Sequence, residues 1–153
     1  MQYRIATTTS SLSLMEWPVY AAVGALLLWA LAVPMPTQAQ DNPDFELAPN
    51  GVTVLCDNAS VGDTGEVNGT VYTKRTRDQI TTANAATTCT SGITAMSNLF
   101  DGENTFDEDI STWDVSSVED MRAMFRSAQR FNRDLSEWDV STVTDMSFMF
   151  AFS

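Results

Sequence analysis

Histidine is absent from the 153 residues. That removes Ser-His-Asp and Cys-His nucleophile systems, and His-ligated zinc, from consideration. Cysteine is scarce: Cys56 and Cys89 are the only two, too few for a four-thiolate metal site. Basic residues are scarce as well. Eight Lys plus Arg stand against twenty Asp plus Glu, a formal net charge of -12. Such a chain repels phosphate backbones, which argues against nucleic acid as a partner. The excess of acid reads first as a solvated surface and second as a face for a cation or a basic partner. Paired carboxylates are the general acid-base device that remains.

From Trp17 to Gln40 no residue is charged, and Val19 to Val33 is the densest apolar stretch. Arg4 precedes it, and Thr37-Gln38-Ala39 resembles a small-x-small cleavage site. The first reading is a signal peptide cut near Ala39 or Gln40. The second is an uncleaved membrane anchor, since Trp17 to Met35 approaches the roughly 20 apolar residues that cross a bilayer. The third is a buried soluble helix. The first two place the remainder outside the cytoplasm. No Cys closely follows the apolar stretch, so a lipoprotein anchor is not supported.

Residues 40–50, with Pro43, Pro49 and three acids, read as a linker. Residues 51–90 read as an N-terminal cap. Val52, Val54 and Cys56 alternate as in a half-buried strand. Asn68-Gly69 between β-formers is a strong hairpin signal, and 77–86 reads as a short helix. In an oxidising compartment Cys56 and Cys89 would pair and close the cap as one unit; two buried free thiols are the alternative. Asn58-Ala59-Ser60 and Asn68-Gly69-Thr70 match the glycosylation sequon, a weak signal.

The strongest feature is a repeat over 91–153. Met96, Met121 and Met146 lie 25 apart, as do Phe100, Phe125 and Phe150. Phe106 matches Phe131, Trp113 matches Trp138, Val115 matches Val140, and Val118 matches Val143. Aligning 96–120 with 121–145 gives 11 identities in 25. A third copy begins at Met146 and reaches Ser153 with Phe148, Phe150 and Phe152 among its last residues. A truncated array, or one whose open end docks on something, is expected from this.

A fixed period of this length predicts stacked coils with a shared apolar interior. Trp113-Asp114-Val115 places apolar residues two apart, as a short strand does. Ser117-Val118-Glu119-Asp120 resembles a capping box, and Val118, Met121 and Phe125 follow on one helical face. The predicted fold class is therefore α/β, a short leucine-rich-repeat-like solenoid of strand-turn-helix coils behind a small β-containing cap. Its predicted core is Met96, Phe100, Phe106, Trp113, Val115, Val118, Met121, Phe125, Phe131, Trp138, Val140, Val143, Met146 and Phe150. Asp109 and Asp134, Asp114 and Asp139, and Asp120 and Asp145 would stack in register. Asp120 and Asp145 read as helix N-terminal acids, Asp114 and Asp139 as turn acceptors. A stacked row of carboxylates would also attract a cation, and calcium is the candidate cofactor; otherwise none is expected.

The runs FDEDISTWDVSSVEDMRAMF and FNRDLSEWDVSTVTDMSFMF resemble the repeats of BspA-like leucine-rich-repeat surface proteins. The resemblance covers Ile93 to Phe150, and less specifically the preceding cap. It implies export, a repeat fold, and binding or adhesion at the cell surface, with no catalytic residues to transfer. The leading functional reading is a non-catalytic module for protein or glycan ligands, presenting Thr112, Asp114, Glu137 and Asp139 on a repeated face. A membrane contact would run through the N-terminal segment if it stays uncleaved. A structural spacer or fragment without binding of its own is the alternative. A carboxylate-based glycoside hydrolase is remote.

Overall fold

Asn68 and Gly69 both adopt positive φ, 51° and 79°. Two such residues make the tight turn whose twist suits a hairpin. They join β3 to β4 in a computed structural model that describes residues 42–153. The expected signal peptide or membrane anchor and the first two residues of the expected linker lie outside the described residues. The strands are β1 (Glu46–Leu47), β2 (Val54–Leu55), β3 (Thr64–Val67), β4 (Thr70–Lys74) and β5 (Thr88–Cys89). β1 pairs antiparallel with β2. β3 and β4 pair antiparallel in the register Val67 to Thr70, and β5 adds to β4 in parallel.

Residues 42–50 are not a free linker. Phe45 is buried in the cap cluster with Val54, Cys56, Val67, Tyr72 and Cys89. Its ring lies over Gly65, where a Cβ would come within 2.5 Å of Phe45 Cγ, so only glycine admits it. Cys56 and Cys89 form a disulfide across this cluster, with Cα atoms 6.3 Å apart. The expected helix at 77–86 appears only as two 3-10 turns, Arg77–Gln79 and Ala85–Thr87.

The largest correction concerns the repeats. The strand-turn-helix solenoid does not form: the described residues are β-rich, with two small sheets and no α-helix. After β5 the backbone runs as turns, with isolated bridges joining Ala95 to Asp120 and Asp120 to Asp145. The reason lies in the amides. Those of Met96, Asn98, Phe100 and Gly102 donate to the carbonyls of Asp120, Arg122, Met124 and Arg126 at 2.8–2.9 Å. One coil on, those of Met121, Ala123, Phe125 and Ser127 donate to Asp145, Ser147, Met149 and Ala151 at the same distances. Every second donor thus leaves its own coil, and an α-helix would need them all along its axis.

The amides between close turns instead. Met124 N–H donates to Met121 O, and Ala128 N–H to Phe125 O. The third residue of each such turn has positive φ: Ala123 at 53° and Ser127 at 60°. Asn98 and Gly102 hold these places one coil earlier, Phe148 and Phe152 one coil later. A left-handed residue at that position ends helical geometry and is best suited to Gly or Asn.

Side chains 25 apart do lie over one another. Phe100, Phe125 and Phe150 stack with centroids 5.8 and 5.4 Å apart, and Phe106 stacks on Phe131 at 5.4 Å. Trp113 and Trp138 lie 6.3 Å apart and within 5° of parallel. Their indole N–H groups donate to Ala85 O and Ile110 O at 3.0 and 3.2 Å. Met96, Phe100, Phe106, Trp113, Val115, Val118, Met121, Phe125 and Trp138 are buried, and Phe131 and Val143 half-buried. Val140, Met146 and Phe150 were expected in the core but are 40%, 41% and 51% exposed, because no further coil covers them in this structure.

Two stability predictions arise here. Reducing the Cys56–Cys89 bridge, which spans 33 positions, should lower stability by about 3–4 kcal/mol, read as a fall in the urea midpoint. Ser127→Gly, which puts at φ 60° the residue used at Gly102, should raise stability by about 0.5–1 kcal/mol in the same assay.

Candidate binding groove

The repeated acids are organised by turns. Oδ1 of Asp109, Asp114, Asp134, Asp139 and Asp145 accepts the amide two residues on, from Ser111, Ser116, Ser136, Ser141 and Ser147. Asp120 does the same with Arg122. All six are therefore turn-forming acceptors, and Asp120 and Asp145 are not helix N-terminal residues. Backbone and hydroxyl hydrogen bonds from the partner serines hold four of these carboxyls below the usual range. For Asp109 and Asp134 the serine amide is the largest cause. For Asp139 and Asp145 the serine hydroxyl is.

Three of the four residues placed on a binding face meet in one groove of about 260 Å³. Asp114 is buried, while Glu137 and Asp139 are exposed. Trp113 and Val115 contribute apolar lining from the coils. The opposite wall is Ala48, Pro49, Asn50, Thr53 and Leu55. That wall is set by Asn50, whose Oδ1 accepts the amides of Val52 and Thr53 and whose Nδ2 donates to Thr53 Oγ1 at 2.9 Å. The wall lies in the segment read as linker and strand, and neither reading placed it beside the coils.

Thr112, the fourth residue, does not line the groove. β2 crosses it, with Val54 N–H donating to Thr112 O at 2.8 Å. Its Oγ1 is buried without a partner among the described residues. Nor do the stacked acids converge for calcium. Among the described residues no three of His, Cys, Asp or Glu are grouped to hold a metal ion. Each Asp of the ladder turns Oδ1 back onto its own loop.

The basic residues are mostly engaged. Lys74 Nζ donates to Cys56 O and Asp57 O, Arg75 to Thr87 O, and Arg77 to Ser97 O. Arg126 pairs with Asp101 and Arg133 with Asp107, each joining one coil to the next. The Asp101 carboxyl is lowered and the Arg126 guanidinium raised, in both cases first by their mutual hydrogen bond. No helix of the described residues is long and apolar enough to cross a membrane.

Residues 71–153 match the family described as "Mycoplasma protein of unknown function, DUF285". The chain belongs to the DUF285 family. The match takes in β4 from its second residue, β5 and every repeat coil, so one side of the groove is DUF285 sequence, while residues 48–55 precede the matched region. No curated protein and no solved structure matches the chain.

The lowered carboxyls fix the sign of the acid response. A depressed folded value gives stability that is present above the unfolded value, near 4, and lost as pH falls through the folded value. The urea midpoint should therefore decline as pH drops below about 4. Asp109→Asn with Asp134→Asn keeps an acceptor for the Ser111 and Ser136 amides and should flatten that decline.

Proposed function

We propose that the chain is an exported, non-catalytic binding module of the cell surface, related to the BspA-like repeat proteins, whose groove takes a basic side chain of a protein ligand. The gathering of Asp114, Glu137 and Asp139 beside Trp113, Val115 and Leu55 carries this reading. Lys and Arg lay their methylenes on apolar surface while the charged head stays with carboxylates and water. Acids spread along a groove suit such an extended cation better than a compact metal ion. A negative face in a chain of net charge -12 also speeds encounter with a basic partner.

Export is supported by the Cys56–Cys89 disulfide, a bond that persists in oxidising compartments. The BspA-like kinship rests on the two repeat runs. A binding rather than catalytic role is supported by the turn duty of each stacked Asp.

Immobilised peptides test the reading. The chain should be retained on Lys- and Arg-rich peptides and released by salt. Glu137→Gln with Asp139→Asn should weaken retention about three- to tenfold. Glu103→Gln with Glu108→Gln removes the same charge outside the groove and should change little. Equal losses from both pairs would mean bulk charge and not the groove. Retention on neutral glycans alone would show that the ligand class is wrong.

A further inference from the structure

Lys74, Arg75 and Arg77 place three of the chain's eight basic residues at the end of β4 and just after it. All three line one cleft of about 530 Å³, with Val61 and Ile93 as apolar lining and Asp78 as its one acid. Lys74 Nζ donates to Cys56 O at 2.8 Å and to Asp57 O at 3.2 Å. Arg75 Nη1 donates to Thr87 O at 3.0 Å and to Thr88 Oγ1 at 2.9 Å. These neutral acceptors orient the two cations without cancelling their charge. Among the described residues neither meets a carboxylate, whereas Arg126 and Arg133 each do. Arg77 pairs only with Asp78, whose side chain is 88% exposed. Partial burial lowers the Arg75 pKa, as expected of a cation short of counter-charge.

We infer that this cleft is a second recognition site, which takes carboxylate side chains of an acidic peptide segment. A guanidinium fork matches a carboxylate in shape and charge. Val61, 52% exposed, and half-buried Ile93 offer apolar surface for the methylenes of a Glu side chain. No residue lining the cleft is aromatic, so it lacks a ring on which a base or sugar face would stack. The chain's net charge of -12 opposes acids everywhere else, so attraction of an acidic ligand has to arise locally. The cleft shares no lining residue with the acidic groove and stands whether or not that groove binds a basic ligand.

The probe is an oligo-glutamate peptide titrated into the full chain and followed by NMR. The Gly92 and Ile93 amides and the Arg75 Nε–H should shift and saturate at millimolar peptide or below. Val61→Glu, at an exposed position whose side chain makes no hydrogen bond, should weaken binding about three- to tenfold. Arg77→Gln should do the same. Gln129→Glu adds the same charge as Val61→Glu outside the cleft and should leave affinity within about twofold. Unmoved signals, or equal losses from Val61→Glu and Gln129→Glu, would overturn the inference. So would saturation by inorganic phosphate or a sulfated glycan with no response to oligo-glutamate, because the ligand would then not be a peptide.

Discussion

Lateral backbone hydrogen bonds between coils are what the rest of the repeat region depends on. Neither strand nor helix spans 93–153, so half the amides of each coil edge can be satisfied only by the coil beside it. A buried amide without an acceptor is costly, and this binds the coils to one register. That register brings Trp113 under Trp138 and Phe100 under Phe125, so ring stacking and hydrogen bonding select the same 25-residue offset. It also demands left-handed residues where each turn closes. The chain accepts Ala, Ser and Phe there as well as Asn and Gly, and the strain is tolerated because the lateral bonds on either side leave no other path.

Charge follows from the same constraint. A coil made of turns has many loop amides pointing nowhere along the chain, and a short carboxylate two residues back is an effective local acceptor. Acids therefore accumulate for structural reasons, at equal positions, and the surface becomes negative as a consequence. Most of the described cations are spent on carbonyls and on ion pairs that tie coil to coil. The groove of the proposed function lies where the cap leans on the coils. There Asp114, held by Ser116, lies in one groove with two exposed acids, Glu137 and Asp139.

The cap and the coils complete each other. Ala85 O receives the Trp113 indole as Ile110 O receives that of Trp138, so the cap ends by imitating a coil. Thr90 Oγ1 reaches Asp114 O, and Ser91 Oγ accepts Cys56 N–H. The disulfide ties the residue that follows β2 to β5 and thereby helps fix the surface on which the first coil is laid. This continuity fits a DUF285 match that begins inside the cap, at β4.

The amino-acid sequence by itself determined the period, the stacked aromatic interior, the Asn68-Gly69 hairpin and the cysteine pair that the structure joins. Each is written in residue identity and spacing, which a chain carries without folding. It also implied helices that do not exist. Val118, Met121 and Phe125 fit a helical face, but the same spacing serves successive turns whose alternate amides point sideways, and periodicity of side chains does not say where backbone donors go. Only the tertiary structure decided that. It also decided that Phe45 belongs to the core, that Thr112 stays out of the groove lining, and that residues 48–55 supply part of that lining. These outcomes depend on segments distant in sequence meeting in space, and no local pattern of residues encodes which two will meet.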